Sequence, residues 1–138
     1  MRINKGVFAI AAAIIALPTF ADELTLNVNN IKAIQGNLLV AVYDKEANYN
    51  ANSNWVAAKQ VKVTGATMSL SFADLPAGNY AVKLFQDKNE NNQIDIGANG
   101  IPTEPYGFSN NLGSYGPPSF DEAKVIVNKT TEIEIQLR

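Results

Sequence analysis

The sequence predicts an all-β domain: an antiparallel two-sheet sandwich of about seven strands, immunoglobulin-like or transthyretin-like, with one long ordered loop. Three observations predict it. Apolar residues alternate with polar ones in seven short segments. Gly-, Pro- and Asn-rich turns separate those segments. No stretch sustains a helical period. Of 138 residues, 46% are hydrophobic and 17% charged, enough apolar material for one domain with its own core.

Residues 1–21 stand apart from that pattern. Arg2 and Lys5 give a positive start, Val7 to Leu17 is an unbroken apolar run, Pro18 ends it, and Thr19-Phe20-Ala21 offers a small-residue cleavage site. This is the layout of a secretory signal peptide. The apolar run is far shorter than the roughly 20 residues a spanning helix needs, and no cysteine follows it to carry a lipid anchor. The expectation is a cleaved signal peptide (1–21) and a single domain (22–138), periplasmic or secreted, with no membrane span after cleavage. Loss of Arg2 and Lys5 takes the 11 basic residues to 9 against 13 acidic, a net charge of −4. That balance speaks against nucleic acid as a partner.

The strands follow in order. Leu24, Leu26 and Val28 alternate with Thr25, Asn27 and Asn29. Leu38, Val40 and Val42 form a second strand whose other face (Leu39, Ala41, Tyr43) is also apolar, which suggests a central position. Val61 and Val63 make a short third. Met68, Leu70 and Phe72 make the fourth, and Tyr80, Val82 and Leu84 the fifth. Val125 with Val127, then Ile133, Ile135 and Leu137, complete the set. Gly65-Ala66 suits a two-residue hairpin between the third and fourth strands, and Asn128-Lys129-Thr130 a hairpin between the last two. Residues 44–58 read as a solvated loop or short helix, with Trp55 tucked against the sandwich edge. Asp87 to Phe120 is far longer than an ordinary loop. Its aromatic residues (Tyr106, Phe108, Tyr115 and Phe120) argue for order and for a small core that staples the loop to the sandwich. A binding surface for sugars or an extended peptide is the other reading of those rings and their neighbouring Asn amides.

The loop opens with Asp87-Lys88-Asn89-Glu90-Asn91-Asn92-Gln93-Ile94-Asp95. Oxygen side chains fall at positions 1, 3, 5 and 9, the spacing of an EF-hand-type calcium loop. A hard cation takes six to eight oxygens, and a chain wrapped around it points alternate side chains inward. Asp87, Asn89, Asn91 and Asp95 are the side-chain candidates. Gln93 would offer its backbone carbonyl, and Ile94 would anchor the loop to the core. Position 6, where the chain turns sharply, holds Asn92 in place of Gly, and position 12 holds Ala98 in place of a bidentate Glu. Glu104 or Asp121 could supply a missing carboxylate. The competing reading is a polar turn held by its own side-chain to backbone hydrogen bonds.

The absence of His and Cys removes Ser-His-Asp and Cys-His sites, imidazole or thiolate zinc sites and disulfides. Ser109 and Ser119 have no His to activate them. Glu104 and Asp121 are the only carboxylate pair open to a glycan hydrolase. The expectation is therefore not an enzyme but a binding module whose 87–120 loop is ordered by calcium, with an envelope protein or glycan as partner. A metal-free structural or interaction module of the cell envelope is the alternative. The last strand, if it lies at a sheet edge, could pair with another chain.

Two long motifs carry a resemblance. One is Asp74-Leu75-Pro76-Ala77-Gly78-Asn79-Tyr80-Ala81-Val82 followed by Asp87-x-Asn89-x-Asn91-x-x-x-Asp95. The other is Gly100-Ile101-Pro102-x-Glu104-x-Tyr106-Gly107-Phe108-Ser109-Asn110-Asn111, with Gly116-Pro117-Pro118-Ser119-Phe120-x-x-Ala123 after it. With these, the chain resembles domain-of-unknown-function family 2141 over nearly all of residues 22–138. The resemblance implies an exported bacterial β-sandwich with no established activity or ligand. Family members often carry Gly where this chain has Asn92.

Overall fold

A computed structural model describes residues 22–113 and 116–138. The expected signal peptide and Tyr115 lie outside the described residues. The strands are β1 (Glu23–Asn29), β2 (Asn37–Tyr43), β3 (Ala57–Lys62), β4 (Met68–Phe72), β5 (Gly78–Asp87), β6 (Tyr106–Phe108), β7 (Val125–Val127) and β8 (Thr130–Gln136). Two short helices, α1 (Glu46–Ala51) and α2 (Phe120–Ala123), and a 3-10 turn (Ser109–Asn111) complete the chain. One sheet has the order β4-β1-β8. The other runs β3-β2-β5, with β6 and β7 both lying along the far side of β5. The fold is all-β and sandwich-like.

The alternation seen in the sequence becomes the core. Leu24, Leu26 and Val28 of β1 face Leu38, Val40 and Val42 of β2 and Val82 and Leu84 of β5, with Leu70, Phe72, Ile135 and Leu137 around them. Each such side chain removed from water contributes about 1.5–3 kcal/mol. β2 is central, as its two apolar faces suggest: β3 flanks it on one side and β5 on the other.

Three connections differ from the sequence reading. The Gly65-Ala66 turn does not close a hairpin, because β3 pairs with β2 while β4 pairs with β1 in the other sheet. Gly65 does not take the positive φ that a two-residue hairpin with glycine first requires. Asn128-Lys129-Thr130 likewise carries the chain from β7, paired with β5, to β8, paired with β1. β8 therefore enters beside the start of β1 and runs parallel to it, the one parallel pair among the ladders of the described residues. An eighth strand, β6, lies within the stretch that the sequence reads as loop.

The outer face of the larger sheet has its own small core of Tyr43, Tyr49, Ala81, Phe120 and Ala123. Trp55 is not tucked against the sandwich. It is 51% exposed, and Tyr49 of α1 fills the buried place at 2%. Tyr49 meets Tyr43 and Phe120 edge-on at 5.8 and 5.9 Å, and its hydroxyl donates to Pro118 O at 2.7 Å. Lys83 Nζ donates to Tyr49 O at 2.6 Å and lies 3.9 Å from the Tyr49 ring centre. Ser119 caps α2 in a reciprocal capping box with Glu122. On the open flank, Lys59 shares the inward register of Val40, and its Nζ donates to Ser71 O beside the Phe72 ring. A charged side chain at an open flank is one of the means by which sheet edges avoid pairing with another chain.

Burial, reinforced by the charges of Glu122 and Tyr43, pushes the Tyr49 phenol up to about 12. A phenol whose pKa is raised on folding stabilises fully below its unfolded value of about 10, and that contribution is lost as pH climbs from about 10 to about 12. Burial pushes the Lys83 ammonium down, the opposite sense, in wild type and variant alike. Tyr49→Phe is expected to cost about 1 kcal/mol at neutral pH through the lost hydrogen bond. The gap between variant and wild type should narrow above pH 10, read by urea unfolding followed by circular dichroism.

Candidate functional site

β5 is ten residues long and delivers Asp87 at its end, fully buried and paired with Asn37 across β2. The approach on that side is tight. A Cβ on Gly36, whose φ is 67°, would sit 2.0 Å from Asp87 O. The Asp87 carboxylate accepts from Asn91 N at 3.3 Å and Asn92 N at 2.8 Å. Asn92 takes the left-handed φ of 62° that position 6 demands, and Glu90 joins it at 56°. Two left-handed residues curl the chain back over Asp87.

The curl brings the spaced side chains together. Asn89 Nδ2 donates to one oxygen of Asp95 at 2.6 Å, and Asn91 Nδ2 to the other at 2.9 Å. The Asn oxygens turn back to the chain: Asn89 Oδ1 accepts from Asn91 N at 3.3 Å, and Asn91 Oδ1 from Gln93 N at 3.1 Å. Asp87, Asn89, Asn91 and Asp95 thus form one network, and Gln93 joins it through its backbone N–H. Ile94 is half-buried. Among the described residues, no group of three or more His, Cys, Asp or Glu is placed to share a metal ion. The charged members of the network are two carboxylates, and the rest are amides.

The loop is gripped by the segment 103–105 that leads into β6. Thr103 donates to Asp95 O from its N–H at 2.8 Å and from its hydroxyl at 3.2 Å, and Gln86 N donates to Pro105 O at 2.8 Å. Between them Glu104, 5% exposed, accepts from Lys88 N at 2.7 Å and from Asp95 N at 2.9 Å. Glu104 does come to the loop, but its oxygens face the backbone. Asp121 does not come. It lies on α2, exposed, with Lys124 Nζ at 3.1 Å. The two carboxylates proposed for hydrolysis therefore serve different elements and have no partner in common. Gln86 escaped the sequence reading. It is fully buried at the root of the loop, and its Nε2 donates to Ala33 O and Gln35 O at 2.7 and 2.8 Å.

The second motif is a clip. Ser109 is fully buried. Its hydroxyl accepts from Val82 N at 2.9 Å and donates to Ala123 O, in the gap on β5 between β6 and β7. Asn110 Nδ2 donates to Glu122 O and Lys124 O at 2.9 and 3.0 Å. Asn111 accepts from Gln136 N at 2.8 Å and donates to Glu134 O at 3.1 Å, along the outer edge of β8. Tyr106 and Arg138 exchange two backbone hydrogen bonds of 3.1 Å beside it. β8 is an edge strand, but its last residues are occupied by the chain itself. Phe108 and Phe120 are each 9% exposed; Phe120 packs with Tyr49 in the outer core, while Tyr106 lies edge-on to Phe108 at 5.9 Å.

A family model described as "Uncharacterized protein conserved in bacteria (DUF2141)" matches residues 26–135. The chain belongs to this family. In this DUF2141 chain the matched span runs from β1 into β8, so it takes in both sheets, the 87–95 network and the clip. No curated protein and no solved structure matches the chain. Among the described residues, no helix is long and apolar enough to cross a membrane.

The left-handed turn sets a direct test. Asn92→Ala should lower stability by about 1 kcal/mol, the cost of holding an ordinary residue at positive φ, whereas Asn92→Gly should leave it within about 0.5 kcal/mol. Gly36→Ala, which forces a backbone clash at Asp87, should cost more than either. Thermal melts of the three variants in EDTA check the order.

Proposed function

We propose that this protein is a non-enzymatic binding module, exported to the periplasm or beyond, whose long 87–120 loop carries a calcium ion at Asp87, Asn89, Asn91, Gln93 and Asp95. The observation that carries the reading is the convergence of the side chains at positions 1, 3, 5 and 9 into one network around Asp95 and Asp87. Both Asn amides have an oxygen end as well as the nitrogen end that now meets Asp95, so the donor set suits a hard cation. Two carboxylates, two amides and the Gln93 carbonyl would make a weak site, suited to a calcium-rich compartment. Calcium there supplies charge and oxygen coordination, and no chemical step runs through it. The engagement of Glu104 with the loop backbone, Asp121 with Lys124, Ser109 with the β5 gap and Ser119 with the α2 cap supports a reading without catalysis.

A second reading is favoured by a specific observation. Each Asn oxygen already accepts a backbone N–H two residues on, as in a self-held polar turn. On that reading the protein is a metal-free structural or interaction module of the cell envelope. Its partner would be an envelope protein or a glycan.

Thermal melts in EDTA, in millimolar calcium and in millimolar magnesium separate the two. A ligand at about 100 times its dissociation constant stabilises by about 2.7 kcal/mol, on the order of 10 °C in a domain of this size. The calcium reading expects a calcium-specific rise of that order, absent in Asp87→Ala and Asp95→Ala. Equal melting temperatures in EDTA and calcium would leave the metal-free module.

A further inference from the structure

We infer that Glu104 is the positioning residue of the 87–95 loop: it fixes the loop backbone before any ion arrives, and it is neither a ligand nor an acid. The half of this inference that concerns ion affinity rests on the calcium reading above. The half that concerns the backbone does not.

A carboxylate that is 5% exposed is costly unless it is fully hydrogen-bonded. Among the described residues no lysine or arginine forms an ion pair with Glu104. Its two oxygens instead accept the main-chain N–H groups of Lys88 and Asp95 at 2.7 and 2.9 Å. Hydrogen bonds to an ionised acceptor are roughly twice as strong as neutral ones. Their placement is what matters. Lys88 follows the first carboxylate of the loop and Asp95 is the last, so one side chain sets the distance between the two ends of the network. The flanking residues hold the chain at the same two ends of the loop, Thr103 at Asp95 O and Pro105 at Gln86 N, two residues before Lys88. Residues 103–105 therefore act as a clamp, with Glu104 as its charged centre. A site held open in this way loses less freedom on binding, which is how preorganisation raises affinity. Removing a residue that orients the ligands of a metal typically costs 10–100-fold in affinity.

The variant is Glu104→Gln. Its oxygen can accept one of the two N–H groups, while its NH2 would face the other, donor against donor. Hydrogen exchange is followed by NMR on the purified protein in EDTA, and calcium uptake by isothermal titration well below the melting temperature. The expected result is slow exchange at the Lys88 and Asp95 amides in wild type and at least tenfold faster exchange at both in Glu104→Gln. Amides of β1 and β2 should be unchanged. Calcium affinity should fall about tenfold or more with one ion per chain retained. A general loss of stability would speed core amides and leave the affinity alone. Asp121→Asn, outside the loop, should change neither reading. Thr103→Val, which removes one hydroxyl bond to Asp95 O, should show a weaker form of the same effect if Glu104→Gln does not fold.

Fast exchange at Lys88 and Asp95 in wild type, or unchanged exchange in Glu104→Gln, overturns the clamp. Loss of calcium uptake in the variant with both amides still protected overturns it too, because Glu104 would then be a ligand. If wild type takes up no calcium but the amides behave as expected, the calcium reading fails and the clamp stands.

Discussion

Backbone hydrogen bonds on both sides of β5 tie the larger sheet and the long loop together. On one side β5 pairs with β2 from Ala81 to Asp87. On the other it holds β7 at Gly78–Tyr80 and β6 at Lys83–Phe85. The gap between those two short strands falls at Val82, whose N–H would be buried and unpaired without the Ser109 hydroxyl. An unpaired buried N–H costs about 1–3 kcal/mol, so a serine substitutes there for a strand. Both ends of the candidate loop inherit their positions from this arrangement, because β5 ends in Asp87 and β6 begins just after Glu104.

The same substitution of side chain for backbone recurs through the long loop. Asn111 runs along β8 as a strand residue would, offering its amide to Glu134 O and Gln136 N. Asn110 gathers the carbonyls at the end of α2. Glu104 serves two N–H groups with one side chain. A chain without disulfides gains order in its longest loop by this means, at the cost of burying polar groups that must all find partners.

What was legible in the sequence was what depends on local period. The inward faces of β1, β2 and β5 are the alternating apolar residues, and Asn92 is left-handed where the spacing demands a turn. What was not legible depends on partners far along the chain. Turn residues at Gly65 and Lys129 mark a reversal in either case and do not say whether the chain returns to the same sheet. β6 was hidden because glycine sits at its centre and weakens any strand signal. Yet a Cβ at Gly107 would lie 2.7 Å from Ile135 Cγ2, so the glycine is what lets β6 approach β8. Tyr49 outcompeted Trp55 for the outer core because its hydroxyl reaches Pro118 O while its ring packs edge-on between Tyr43 and Phe120. Neither contact can be read from spacing. Glu104 looked like a free acid for the same reason: the two N–H groups that occupy it lie 9 and 16 residues away.

The exposed position of Trp55 has a spectroscopic consequence. It is the single tryptophan of the chain, and its indole already meets water in the folded state. Its emission is therefore that of a half-exposed group, and unfolding changes its surroundings less than it would those of a buried indole. The optical signature of the native packing lies with the tyrosines, since Tyr49 is locked edge-on against both Tyr43 and Phe120 in a fixed asymmetric array. Near-ultraviolet circular dichroism of that array follows the fold, while tryptophan fluorescence follows only what touches the 52–56 turn.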